Sequence, residues 1–249
     1  MCGYIYNVTD FPLLLPLFQI AGYQPDEISD IIRHPHLRPT DKVLTMVPSK
    51  AGPKLMGSTW WLATHPDGSV NSKITSFNSK SSKVGKSPLH VQKPRSVKSI
   101  VIGSGFCEWQ PIYKGELKYS DCISMGLDSK KMQPTRKVQH LIEPATEGLM
   151  LFGAVSKLRL DQHGYPQVNT SIITLPPHNE FLDIHAKSFP LILRPSEILD
   201  WIDPNRPFSD FEPLLTMDAC RDTFRVSKVS SDLTDKVPVQ TLGLTSNKY

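Results

Sequence analysis

No stretch of the 249 residues can cross a bilayer as a helix. The most apolar run, Phe11 to Ile20, is interrupted by Pro12 and Pro16, and a span needs roughly 20 apolar residues. No Lys or Arg precedes that run, Asp10 stands before it and no small-residue cleavage site follows, so it does not read as a secretory signal. The four cysteines (Cys2, Cys107, Cys122, Cys220) have no CxxC spacing, which leaves a zinc site or a redox pair unsupported. With no export signal, a reducing intracellular compartment and free thiols are expected. Glycine is scarce beside proline, 14 against 22, which argues against long helices and for short elements joined by turns. There is no Gly-rich phosphate loop, no GxSxG and no HExxH. His34-Pro35-His36 has no third ligand nearby in sequence, so neither a metal nor a cofactor is expected.

Acidic residues are missing altogether between Asp67 and Glu108, while Lys73, Lys80, Lys83, Lys86, Lys93, Arg95 and Lys98 fall in that window. Outside it 21 basic residues face 24 acidic ones, so the whole net charge of +4 resides in one contiguous segment. Such a segment is either a solvated loop or a face that binds a polyanion. The hydrophobic content of 39% and charged content of 21% suit a folded globular chain and exclude a collagen-like or fully disordered one.

The patterning predicts many short strands and few helices. Pro25-Asp26-Glu27 opens a short helix with Ile28, Ile31 and Ile32 on one side. Lys42–Val47 and Ser99–Ile102 read as strands, the second followed by a Gly103-Ser104-Gly105 turn. Leu149–Val155 and Thr170–Leu175 are apolar runs too short for helices, hence buried strands. Pro176-Pro177 is expected to start a helix through about His185, and Pro195-Ser196 one that carries Ile198, Leu199 and Ile202. Residues 114–135 are polar and read as an extended hairpin or insertion, and Phe224–Val229 as a late strand. With no βαβ alternation and no repeat, the expected class is α+β in a single domain, with a largely antiparallel β-sheet or barrel-like core and a few short helices.

Four residues stand out chemically. Removal of Met1 would leave Cys2 with a free α-amine, pKa about 7.7–8.0, and a thiol near 8.5. Such a 1,2-aminothiol captures an aldehyde: the amine forms a Schiff base and the thiol closes a thiazolidine. Taken alone, Cys2 also reads as just a small residue after Met. Glu108, next to Phe106 and Trp109, is either a strand-end carboxylate in solvent or a desolvated acid–base group. His185 lies four residues after Phe181, on one helical face. It reads as a C-terminal cap or as a proton donor with an unperturbed pKa of about 6.5. Asn78, inside the basic window, fits a turn position.

In order along the chain, Met1-Cys2-Gly3, Phe77-Asn78-Ser79-Lys80, Gly105-Phe106-Cys107-Glu108-Trp109 and Ile184-His185-Ala186-Lys187-Ser188-Phe189-Pro190-Leu191-Ile192-Leu193 resemble the SRAP family, the SOS response-associated peptidase domain. Leu151–Val155 and Thr170–Thr174 look like that family's two central strands, and Val226-Ser227 to Pro238-Val239 like its closing segment. The resemblance implies one SRAP-type domain over residues 1–240, with an insertion near 114–130 and a tail at 241–249.

The resemblance further implies a protein that binds single-stranded DNA and cross-links to abasic sites through Cys2, shielding the lesion, with an autopeptidase activity from the same nucleophile. Cys2 then matches the nucleophile, Asn78 the active-site Asn, Glu108 the catalytic Glu and His185 the catalytic His. Trp61 and Trp109 match aromatic positions near the DNA, and Lys80 and Lys187 fall where basic contacts are expected. A monomer is implied, associated with the nucleoid in a bacterial or phage source and nuclear in a eukaryotic one. The chain departs from the family at Tyr4 and Lys80, which replace arginines, and at Ser82, Cys107 and Ala186-Lys187. A lysine binds phosphate as a point charge but not as a planar fork. Two other readings start from the same features. An N-terminal-nucleophile amidohydrolase also begins Met-Cys-Gly, but no Asn-Gly or Arg-Gly segment is present here. The basic window with the Trp60-Trp61 pair alone would suit a non-covalent single-stranded nucleic-acid binding module.

Overall fold

The computed structural model describes residues 3–23, 25–128, 131–161, 163–216, 222–230, 233 and 235–243. The strands are β1 (Ile5–Tyr6), β2 (Gly22–Tyr23), β3 (His36–Leu37), β4 (Lys42–Val47), β5 (Lys54–Thr59), β6 (Asn78–Lys80), β7 (Val97–Gly103) and β8 (Gly105–Ile112). They continue with β9 (Arg136–Pro144), β10 (Met150–Leu160), β11 (Pro166–Leu175), β12 (Phe189–Pro190), β13 (Ile192–Leu193), β14 (Thr223–Val229) and β15 (Lys236–Gly243). The α-helices are short: α1 (Leu15–Ile20), α2 (Pro25–Ile32), α3 (Pro88–Val91), α4 (Tyr119–Ser124) and α5 (Ile198–Ile202). Among the described residues no helix is long and apolar enough to cross a membrane.

Strands β11, β10, β7, β4 and β5 pair in that order, and β5 pairs back onto β11 at Thr59 and Asn169, which closes a five-stranded barrel. The alternation of apolar residues explains why this wall forms. Leu44, Met46, Ile100, Ile102, Leu151 and Val155 enter one core cluster. Their sequence neighbours Val43, Val101, Phe152 and Ala154 enter another. A strand apolar at both parities must be covered on both faces. The first cluster is covered by helices, through Leu17, Ile28, Ile31, Ile198, Trp201 and Ile202. The second joins the barrel to a six-stranded sheet ordered β15-β14-β9-β8-β1-β3, through Ile5, Phe106, Ile142, Phe224 and Val226. Buried hydroxyls satisfy one another across the barrel strands: Ser156 donates to Ser99 at 2.7 Å, and Thr45 and Ser58 lie 2.6 Å apart.

Three expectations are corrected here. The segment after Pro176-Pro177 makes only a single 3-10 turn, Asn179–Phe181, because Phe181 and Ile184 are pulled into the aromatic core. Residues 114–135 hold helix α4 rather than an extended hairpin; Lys118 N–H is capped by Asp121, and Cys122 is buried. Lys98 does not contribute to a polyanion face. It is buried, donates to the carbonyls of Asp203 and Arg206, and lies 5.6 and 5.4 Å from the Phe208 and Phe211 rings. Burial lowers its pKa. The other six basic residues of that window are exposed.

Candidate active site

Strand alternation on β8 sorts its side chains between two faces. Phe106 goes to the aromatic cluster shared with Phe181 and Phe189, and Cys107 to the opposite face with Tyr4 and Leu141. Glu108 shares the parity of Phe106 and is only 4% exposed. Trp109 shares that of Cys107, is 37% exposed, and meets Tyr4 edge-on with ring centroids 6.1 Å apart. The Trp109 ring therefore does not desolvate Glu108, contrary to the sequence expectation. The inner face does.

The turn after Phe181 delivers the partner. His185 N–H donates to the Phe181 carbonyl at 2.7 Å, and Phe181 is locked between Phe189 and Phe224. His185 Nδ1 thereby comes within 3.1 Å of Glu108 Oε2. Burial pushes the Glu108 carboxyl up to about 8 and the His185 imidazole down to about 3. At neutral pH the pair thus carries one proton, held on the carboxyl and presented to Nδ1. This corrects the expectation of His185 as a free imidazolium donor with an ordinary pKa. Burial also pushes the Cys107 thiol up to about 12, which leaves it an inert core group. Cys107 and Cys122 are both free and buried.

The chain's beginning runs to the same place. Ile5 pairs with Phe106, and Cys107 N–H donates to the Tyr4 carbonyl at 2.9 Å, so the register continues to set Gly3 opposite Glu108. Cys2 itself lies outside the described residues.

Asn78 opens β6, which pairs in parallel with β11, Asn78 beside Ile172. The next residue, Ser79, is the anchor: its hydroxyl lies 2.9 Å from Ser171 Oγ and 3.0 Å from His90 Nε2. Ser79 inward leaves Lys80 exposed by alternation. Phe77, just before Asn78, packs on the cluster that holds Phe106 and Ile184. The two tryptophans clamp it. Trp60 is fully buried and its Nε1 donates to the Phe77 carbonyl at 2.8 Å. Trp61, 9% exposed, lies 5.6 Å from the Phe77 ring and donates to the Asn71 carbonyl. Lys187 is exposed two residues beyond His185. The structure thus brings Glu108 and His185 into contact, and anchors the backbone of Asn78 on β11.

Two histidines had no signal in the sequence. His90 sits on α3 and locks β6. His140 pairs directly across from Glu108 on β9, is buried, and has its pKa lowered to about 4 by that burial. Among the described residues no group of three or more His, Cys, Asp or Glu side chains is placed to hold a metal ion.

Comparison with known proteins matches residues 1–236 to the family described as SOS response associated peptidase (SRAP). The chain belongs to the SRAP family. It is 22% identical over 235 residues to the abasic site processing protein YoqW of Bacillus subtilis (strain 168), covering 93% of each chain. It is also 22% identical over 233 residues to the abasic site processing protein YoaM of the same organism, covering 93% of this chain and 92% of YoaM. Among solved structures, the fold is shared with a protein from Bacteroides thetaiotaomicron, at a TM-score of 0.68, 16% identity and 93% of each chain. A protein from Bordetella bronchiseptica matches at 0.60 and 13%, covering 96% of this chain and 100% of that one. At these identities the structural matches speak for the fold.

Proposed function

We propose that this SRAP protein processes abasic sites in single-stranded DNA by forming a covalent thiazolidine through Cys2. The observation that carries the reading is the buried Glu108–His185 contact, 3.1 Å, on the strand that pairs with the start of the chain. The names of YoqW and YoaM support it.

The abasic sugar rests as a closed hemiacetal, which an amine cannot attack. Glu108 gives its proton to the ring oxygen while a water takes the proton of the C1′ hydroxyl, and the ring opens to the C1′ aldehyde. The pair, now a carboxylate against a neutral imidazole, takes a proton from the Cys2 ammonium. The freed amine adds to C1′, water leaves to give the Schiff base, and the Cys2 thiol adds to the same carbon. One C–N and one C–S bond form, and one water departs. Asn78 holds the sugar or the amine through its amide. Trp109, with its exposed edge, stacks a flanking base, whereas Trp61, buried against Phe77, supports the core instead of meeting DNA as the sequence suggested; Lys80, Lys187 and neighbouring lysines contact phosphates. The same Cys2 thiol would serve the autopeptidase activity on a short leader.

The test is an oligonucleotide with one abasic site, read on a denaturing gel. Mature protein should give a stable adduct that is lost in Cys2→Ala and when a non-removable tag precedes Cys2. An equally strong adduct from the blocked protein would overturn the reading.

A further inference from the structure

Resting on that reading, we propose that Arg38, seated on the ring of Tyr4, binds the phosphate of the nucleotide that flanks the abasic site. Arg38 directly follows β3. The β1–β3 register, Ile5 with Leu37 and Tyr6 with His36, continues to set Tyr4 opposite Arg38. The guanidinium carbon lies 5.4 Å from the Tyr4 ring centroid. Tyr4 is buried and wedged, with His36 at 5.7 Å on one side and Trp109 at 6.1 Å on another. A long side chain is thus held in place by a rigid aromatic support instead of sweeping through solvent.

Arg38 is nevertheless exposed. Its backbone N–H, not its guanidinium, takes the nearby Asp41 carboxylate, at 2.7 Å. Among the described residues no ion pair neutralises the guanidinium, so its charge is available to a ligand. Its position suits a DNA phosphate. Continued from the two registers, one row carries Arg38, Tyr4 and Cys107, and the next carries Gly3 and Glu108. Two strand spacings separate Arg38 from Cys107, about 10 Å. Tyr4 is two residues from Cys2, at most about 7 Å of chain. Arg38 and the exposed edge of Trp109 therefore flank Tyr4 close to the start of the chain, one offering a planar fork to phosphate and the other a stacking face to a base.

The experiment measures binding of a single-stranded oligonucleotide that contains one tetrahydrofuran residue, an abasic analogue without an aldehyde, across a salt series. Arg38→Ala should weaken binding about five- to tenfold and reduce the salt slope by about 0.7, one phosphate contact on a single strand. Arg38→Lys should restore the slope but only part of the affinity. Tyr4→Leu removes the ring on which the guanidinium rests. It should cost about two- to threefold, and the double variant Tyr4→Leu/Arg38→Ala should be no weaker than Arg38→Ala alone. Unchanged affinity and slope in Arg38→Ala, or additive losses in the double variant, with wild type still binding, overturn the assignment of Arg38 alone. A wild-type protein that neither binds this oligonucleotide nor forms the adduct on a true abasic site overturns the parent reading and this one with it.

Discussion

Glu108 keeps its proton to about pH 8 because burial disfavours its ionised form, and the same burial keeps His185 and His140 neutral down to about 3 and 4. These shifts have opposite consequences for stability. Unfolded, a glutamate ionises near its ordinary value of about 4.3 and a histidine protonates near 6.5. Between 4.3 and 8 the folded state binds the extra proton at Glu108, so that contribution falls as pH rises. Between 6.5 and about 3 the unfolded state binds extra protons at the two histidines, so theirs falls as pH drops. From pH 7 to 8 the Glu108 proton outweighs the residual protonation of the two unfolded histidines, and stability should decline by roughly 0.5–1 kcal/mol per pH unit. Urea titrations should show Glu108→Gln abolishing that decline. A decline of unchanged slope in the variant would refute the assignment. The kinetics follow from the shared proton. Glu108→Gln and His185→Gln should each slow adduct formation on the natural site by about 10²–10⁴-fold. The double variant should be no slower than the worse single one, as measured by gel time courses, because both substitutions break one transfer. Multiplying losses would mean that the two groups act separately.

At the level of elements, β6 is only three residues long, Asn78–Lys80, and the Ser79 hydroxyl locks it beside its pairing with β11. Ser79→Ala removes the hydroxyl between Ser171 and His90 and leaves two buried groups without that partner. A loss of about 1–3 kcal/mol is expected in chemical denaturation. Adduct formation should fall along with it at temperatures where the protein stays folded. Unimpaired reaction would separate the β6 lock from the site. None of this shows in the sequence. Ser79, Ser171 and His90 come from three elements, and a lone buried histidine carries no local pattern. What was legible rested on local chemistry. The apolar runs at Leu149–Val155 and Thr170–Leu175 are central strands β10 and β11, and Pro195-Ser196 does introduce α5. The helix expected after Pro176-Pro177 failed because Phe181 and Ile184 gain more in the aromatic core than from continuing a helix. Glu108 and His185 could be singled out by type, but their contact depends on tertiary packing, which no spacing encodes. Arg38 escaped notice for the same reason, since its partner Tyr4 is on another strand.

Across the whole molecule, the charge asymmetry of the sequence becomes a surface property, less one lysine. Lys98 is a structural cation, between two backbone carbonyls and two phenylalanine rings. Lys98→Met should lower the melting temperature without changing the salt slope of single-strand binding, whereas Lys80→Ala should reduce that slope by about 0.7. A reduced slope in Lys98→Met would place it on the DNA after all. The arrangement of the first sheet also sets a schedule. Strand β1 sits between β8 and β3, so Ile5 cannot pair with Phe106 until about 100 further residues have been synthesised. At roughly 5–20 residues per second that interval is about 5–20 s. During it β1 can pair only with β3, through Ile5 with Leu37 and Tyr6 with His36, so the first sheet is completed late in synthesis.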